Sequence, residues 1–394
     1  MRAFEILQDA LSKNNDSVHS QRLGAVFRAV EGLMRGGKLW LTALGRALPG
    51  DCRDKHRVKA VDRLLGNEAV HAELTLYYRA LASWLLRHTK HPTILVDWTG
   101  VGPGHHALSA AVSFCGRALP ILSHVYPEGK QYSKKAQRKF VKALAEVLPD
   151  GCIPVIVTDA GFHSAWFNAV LEQGWDFIGR IRNRTHAQID GEWGPAKKLH
   201  KKATNRPKKL GKLWLYRAHP QQFNFVLSKA RKSKGRKRYT TKGTEGRTGT
   251  DKASKSQARE PWLLATSLSC NAKTVTRIYA SRMQIEESFR DLKNHRHGWA
   301  LEDVRCKTAK RIEVLLMIAA LANVAMQLIG LAAERQGLQW HYQVNTMRRR
   351  RVFSFFVLAR HVINRAQVIP LKAYQRAITE MHQIIAAHSP LSQP

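Results

Sequence analysis

Two aspartates close runs of apolar, β-branched residues: Asp97 follows Ile94, Leu95 and Val96 in TILVDW, and Asp159 follows Val155–Thr158 in VIVTDAGF. A third acid, Glu286, stands among basic and aromatic residues in IYASRMQIEESFRDLK, residues 278–293. Carboxylates gathered within a few ångströms repel unless a hard cation neutralises them, and an all-oxygen ligand set selects Mg²⁺ or Mn²⁺. Two such ions, about 3.5 to 4 Å apart, activate a water or hydroxyl and stabilise the leaving oxygen of a phosphodiester. The chemistry within reach of these residues is in-line displacement at phosphorus.

The segment around Glu286 is expected to be one long helix from about Lys273 past Lys293. At about 100° per residue, Tyr279, Arg282, Glu286, Arg290 and Lys293 share one face. Ile278, Ile285, Phe289 and Leu292 occupy the adjoining sector, which would press the helix onto a core and aim Glu286 at a cleft edge. The same spacing also suits a salt-bridged surface helix. Asp97 reads equally as a strand-end turn residue, and Asp159 as a helix N-cap before Gly161. Asp150, Glu172, Asp176 and Glu287 compete for the same role, but none ends an apolar strand or lies centrally on the basic face.

The elements that must position these acids follow from texture. Residues 1–88 are helical in pattern and basic. A short helix over Leu41–Leu48 stops at Pro49-Gly50, and a second begins with Asp51 or Asp54 as N-cap. The second carries Arg53, Lys55, His56, Arg57, Lys59 and Arg63 opposite Val58, Val61, Leu64 and Leu65, which reads as a helix-turn-helix with a basic reading helix or as a basic solvated helix in a bundle. From Pro92 strands take over: Thr93–Trp98, a hairpin over Ala107–Val125 turning near Gly116-Arg117, a helix over Lys134–Leu148, a strand over Cys152–Thr158, a helix over Ser164–Gln173 and a strand over Trp175–Ile181. Acids where the first and later strands end, in a strand–hairpin–helix–strand–helix order, are what a ribonuclease-H-like α/β core shows. Beyond Arg182, LWLYR and FNFVLS are strand-like, and Lys229–Arg259 is a basic loop rich in Gly, Ser and Thr. Trp262 opens another strand, and residues 336–394 look helical with a basic cluster at Arg348–Arg351.

With 65 Lys and Arg against 29 Asp and Glu in 394 residues, the formal charge is +36, which calls for a polyanionic partner. At 44% hydrophobic and 8% aromatic residues, the composition excludes wholesale disorder. Cys52, Cys115, Cys152, Cys270 and Cys306 form no C-x-x-C pair, which argues against a zinc ribbon or a disulfide scaffold and fits a reducing cytoplasm. The N-terminus meets acidic and amide residues too early for a secretory h-region. Val314–Ala333 has the length of a membrane span, but alone in so basic a chain it reads as a helix buried on all sides.

Tyr279-x-x-Arg282-x-x-x-Glu286-x6-Lys293 resembles the Tyr-Arg-Glu-Lys motif of bacterial insertion-sequence DDE transposases, the family numbered four. The sequences around Asp97 and Asp159 resemble that family's other two acid motifs, in order, and the likeness is strongest to the branch that includes the transposase of the tetracycline-resistance composite transposon. The resemblance implies a multidomain protein: a helical DNA-binding domain at 1–88, a ribonuclease-H-like core at 89–185 and 261–335 interrupted by a β-rich basic insertion at 186–260, and a helical C-terminal region at 336–394 with a possible role in dimerisation. It implies that Asp97, Asp159 and Glu286 are catalytic, metal-binding acids for a two-metal site taking Mg²⁺, with Mn²⁺ able to substitute. It also implies cut-and-paste transposition through a hairpin intermediate, on terminal inverted repeats and then target DNA. The protein would act as a DNA-bound homodimer in the bacterial cytoplasm, at the nucleoid and away from any membrane.

By the same resemblance Tyr279, Arg282 and Lys293 hold the transferred end, Trp262 stacks a flipped base, and Arg290 and Arg180 contact DNA. Arg53, Lys55, Arg57 and Lys59 join them from the basic helix of the first domain. Trp262 reads equally as a core aromatic at a strand start. Met283 replaces a tryptophan usual in some branches, and Arg290 stands where a lysine often sits, keeping charge but altering geometry. A junction-resolving or general nuclease of the same fold, and a non-catalytic repressor derived from a transposase, are the competing readings.

Overall fold

A computed structural model describes residues 2–13, 18–182, 185–229, 260–344, 346–347 and 349–389. The chain divides into two units, residues 1–154 with 281–394 and Val155–Ala280. The basic stretch 230–259 and Arg348 lie outside the described residues.

The first unit begins with α1 (Arg2–Ser12), α2 (Ser20–Met34), α3 (Leu41–Arg46), α4 (Asp54–Leu65) and α5 (Glu68–Leu86). Gly45 lets α3 and α4 meet closely, because a Cβ there would lie 2.5 Å from the Cα of Val58. The N-cap of α4 is Arg53, without a side-chain cap bond, rather than Asp51 or Asp54; Asp54 is instead the first helical residue, where a negative charge suits the helix dipole. Val61, Leu64 and Leu65 are buried, while Lys55 and Lys59 stay exposed.

Then come β1 (Thr93–Gly100), β2 (His105–Phe114), β3 (Arg117–Pro127) and α6 (Lys134–Val147). The strands pair antiparallel in the order β3-β2-β1. The hairpin turns on Cys115 and Gly116, at φ of 48° and 84°, the left-handed pair that a two-residue turn requires to match strand twist.

The second unit holds β4 (Val155–Thr158), α7 (Ser164–Leu171), β5 (Asp176–Ile181), β6 (His186–Ile189), β7 (Glu192–Pro195), β8 (Lys208–Leu215), β9 (Gln221–Ser228), β10 (Trp262–Thr266) and α8 (Ala272–Ala280). Its strand order is β4-β5-β10-β9-β8-β6-β7, with β4 and β5 parallel and the other pairs antiparallel. The short β6–β7 hairpin has no apolar run to announce it. Phe167, Phe177 and Phe223 pack as a cluster between α7 and the sheet, with Phe167 and Phe177 stacked at 4.3 Å.

The first unit resumes with α9 (Met283–Lys293), α10 (Ala309–Arg335), α11 (Gln339–Tyr342), α12 (Phe355–Asn364) and α13 (Leu371–Ala387). The single helix expected from Lys273 to Lys293 is therefore two, α8 and α9, interrupted at Ser281-Arg282. α10 contains the membrane-length apolar segment, and its residues from Val314 to Ala333 are all buried. It packs on β3, α2, α5, α12 and α13, so a helix apolar all round is satisfied by neighbours on every side.

Candidate active site

Asp97 lies within β1 rather than at its end, since the strand continues through Trp98 and Thr99 to Gly100. The strand-end turn reading is thereby corrected: β1 stays paired beyond the acid, with Asp97 opposite Ser109 of β2. Only 9% of Asp97 is exposed. Its Oδ1 accepts the Trp98 N–H at 2.8 Å, and its Oδ2 accepts from Nη1 of Arg282 at 3.1 Å. Nη2 of the same guanidinium donates to Oε1 of Glu286, one helical turn further on. Arg282 is also only 9% exposed, whereas the Glu286 side chain is 40% exposed and opens to solvent.

Three polar side chains along α9 fix this arrangement by docking the helix on the tip of the β2–β3 hairpin. Gln284 Oε1 accepts the Phe114 N–H at 3.1 Å. Ser288 Oγ accepts the Ala118 N–H at 2.7 Å and donates to the Ala118 carbonyl at 3.0 Å. Asp291 receives Nε of Arg117 at 2.5 Å. Of the apolar sector expected on this helix, Ile285 is buried, while Phe289 and Leu292 are half-buried and line a small cavity with Thr99, Ser123 and Asn323. Sequence reasoning missed the Gln284-Ser288-Asp291 stripe. Its i, i+4, i+7 spacing is visible in the chain, but its partners are backbone groups far away in sequence.

Lys293 closes the helix half-buried, and burial lowers its ammonium below the usual range against the pull of Glu302 and Asp97. Asp97, Arg282, Glu286 and Lys293 are thus gathered in one unit. Arg290 is exposed and paired with Glu287 at 2.7 Å. On the first unit's basic helix, Arg57 is tied back to Asp54 and to the Leu48 carbonyl at 2.9 Å, so part of its charge stabilises the α3–α4 turn.

Asp159 belongs to the second unit and directly follows β4. Its Oδ1 accepts the Gly161 N–H at 2.8 Å, an Asx turn that bends the chain away from the strand. The N-cap of α7 is His163, without a side-chain cap bond, which corrects the N-cap reading of Asp159. Burial lowers the His163 imidazole, with Asp159 pulling it partly back up. Tyr279 is buried on α8 and meets the half-buried Trp262 ring edge-on at 5.0 Å. Trp262 is therefore not a sealed core aromatic. Arg180 lies inside β5 and shares Glu260 with Arg182, at 3.2 Å and 2.6 Å.

A second feature of the first unit has no announcement in the sequence. Trp40 and His295, near-parallel with centroids 6.4 Å apart, line a groove with Arg305, Lys307 and Arg311, and Asp303 holds His295 Nδ1 at 2.5 Å.

Chemically, the Asp97–Arg282–Glu286 cluster presents two hard carboxylates already sharing one cation, the donor set that suits a divalent ion of the Mg²⁺ class. Among the described residues, no group of three or more His, Cys, Asp or Glu side chains is assembled as a ready metal site. No curated protein matches the chain. The family described as Transposase DDE domain matches residues 88–324, which is more than half of the sequence.

Proposed function

Because the chain belongs to the DDE transposases, enzymes that act on DNA and whose core is ribonuclease-H-like, we propose that it catalyses cut-and-paste transposition of an insertion sequence of the family-four type, in the branch of the tetracycline-resistance transposon. The observation that carries this reading is the convergence of Asp97 and Glu286, 189 positions apart in the chain, on the single guanidinium of Arg282. Their shared hold on one guanidinium supports reading both acids as members of one site.

In this reading Asp97, Asp159 and Glu286 hold divalent metal, Mg²⁺ with Mn²⁺ as substitute. When bound, the metal supplies an activated oxygen nucleophile and charge neutralisation at the leaving oxygen. The protein's own residues do the rest. Asp97 is held by the Trp98 N–H and by β1, so the orientation of its carboxylate is restrained. Glu286 is aimed by α9, whose docking on the hairpin removes its freedom to tilt. Arg282 and Lys293 supply cations, and Tyr279 a hydroxyl, for the phosphates of the transferred end. Trp262, backed by Tyr279, offers a ring face to a flipped base, a stack worth about 1 to 3 kcal/mol.

The reaction runs as a nick at the element's end, attack of the released 3′-hydroxyl on the opposite strand to close a hairpin, hairpin opening by water, and strand transfer into target DNA. Each step is an in-line displacement at phosphorus, so repositioned DNA can use one set of acids throughout. Residues 1–88 would bind the terminal repeats through Arg53, Lys55, Arg57 and Lys59, the basic insertion at 186–260, with Arg180 nearby, would follow the backbone, and Arg290 would add a further contact. Two copies paired on two ends, with the 336–394 region taking part in the pairing, would form the active assembly.

The test is cleavage of paired terminal inverted repeats in Mg²⁺ by the purified protein, with hairpin ends resolved on a denaturing gel. Asp97→Ala, Asp159→Ala and Glu286→Ala are each expected to abolish strand cleavage while retaining the fold and repeat binding. Normal cleavage by all three variants would falsify the catalytic assignment. Nicking without end specificity or transfer products would point instead to a nuclease.

A further inference from the structure

Arg282 is one cation serving two acids. Its Nη1 donates to Asp97 Oδ2 at 3.1 Å and its Nη2 to Glu286 Oε1, and both Arg282 and Asp97 are nine-tenths buried or more. A buried carboxylate without a counter-charge is costly, so this guanidinium helps hold Asp97 in place, with the Trp98 N–H and the nearby Lys293 ammonium contributing as well. The lone pairs it occupies are those a hard dication would need, and its positive charge opposes such an ion at close range. Arg282 also has a second class of partner, because its planar fork fits phosphate as well as carboxylate.

We propose that Arg282 is an internal counter-ion that holds the Asp97–Glu286 pair against metal in the DNA-free protein, and that a DNA phosphate draws it away and opens the pair. Metal and DNA then bind with positive coupling, and by linkage each strengthens the other by the same factor. The inference rests on the reading of Asp97 and Glu286 as metal ligands. It adds a coupling that this reading does not contain: the enzyme would arm itself only where DNA is present.

The experiment is titration of the full chain with Mn²⁺, followed by the electron paramagnetic resonance of the free ion. It is run with and without a pre-cleaved duplex carrying the element's terminal repeat, on wild type, Arg282→Gln, Arg282→Lys and Asp97→Asn. Without DNA, Arg282→Gln is expected to bind Mn²⁺ at least about fivefold more tightly than wild type, with Arg282→Lys between them, in the range typical of coupled sites. Adding DNA is expected to tighten wild type by a similar factor and Arg282→Gln by much less. Equal Mn²⁺ affinity of wild type and Arg282→Gln without DNA, or equal tightening of both by DNA, overturns the counter-ion role. If Asp97→Asn binds Mn²⁺ as wild type does, the ligand reading itself fails, a separate outcome. Should Arg282→Gln fail to fold, the wild-type response to DNA and the Arg282→Lys titration decide the matter.

Discussion

Gly330 sits on α10 where that helix crosses the start of α12, and replacing it with alanine sets two opposed effects against each other. In a helix interior, alanine is favoured over glycine by about 1 kcal/mol. At this position, however, the added Cβ would lie 2.3 Å from the Phe355 carbonyl oxygen and 2.5 Å from its Cα and Cβ. These neighbours are backbone, or rigidly attached to it, so no rotamer change relieves the contact and α12 must move by about 1 Å to restore ordinary van der Waals distances. Phe355 is itself pinned, with the Arg351 guanidinium 4.0 Å above its ring and Phe114 6.0 Å away. Overpacking of this kind costs about 1 to 3 kcal/mol, and a backbone collision belongs at the upper end. The net expectation for Gly330→Ala is destabilisation by about 2 kcal/mol, seen as a lowered urea midpoint with an unchanged slope. Gly24→Ala on α2 is the internal control. Nothing lies within 4 Å of its Cβ position, so the variant should be neutral or stabilised by up to about 1 kcal/mol. If Gly330→Ala proved as stable as Gly24→Ala, the close approach of α10 and α12 would be wrong.

Two further outcomes follow from charges. Burial, with Lys139 nearby, pushes His124 down to about 4, so the folded protein keeps it neutral where an unfolded chain would already bind a proton. Stability should therefore fall as pH drops from about 6.5 to about 4, by up to about 3 kcal/mol from this residue, and urea melts of His124→Asn should show a flatter pH profile across that window. A wild-type slope no steeper than the variant's would remove His124 from the account. Glu260 neutralises Arg180 and Arg182, so Glu260→Gln should free cations for phosphate. Fluorescence anisotropy over a salt series should then give tighter DNA binding with a log–log slope steeper by about one to two; an unchanged slope would show that neither arginine faces DNA.

Family membership and most element types were legible in the chain. The apolar runs before Asp97 and Asp159, the breakers at Pro49-Gly50, the turn near Gly116-Arg117, which the structure places one residue earlier, and the long apolar stretch of α10 are local signals, written in periods of two and 3.6 and in residues with special backbone needs. Boundaries were less legible. β1 runs three residues past Asp97 because β2 continues to supply hydrogen-bond partners, and strand length is decided by the neighbour rather than by the strand. The split into α8 and α9 was hidden for a related reason: a helical wheel assumes a straight axis, and nothing in Ser281-Arg282 forbids helix locally.

The candidate site divides along the same line. Residue types and order, together with the family resemblance, supplied three candidate acids, the cations near them and an expectation of divalent metal. Only the folded chain decided that Arg282 turns inward to join Asp97 to Glu286, that Gln284, Ser288 and Asp291 fasten α9 to the hairpin, and that Arg180 is occupied by Glu260. Sequence pattern reports what each residue can do, because chemistry and backbone preference are local. Which partner a charged side chain takes depends on distances across the fold, where burial makes an unpaired charge costly and so fixes the choice.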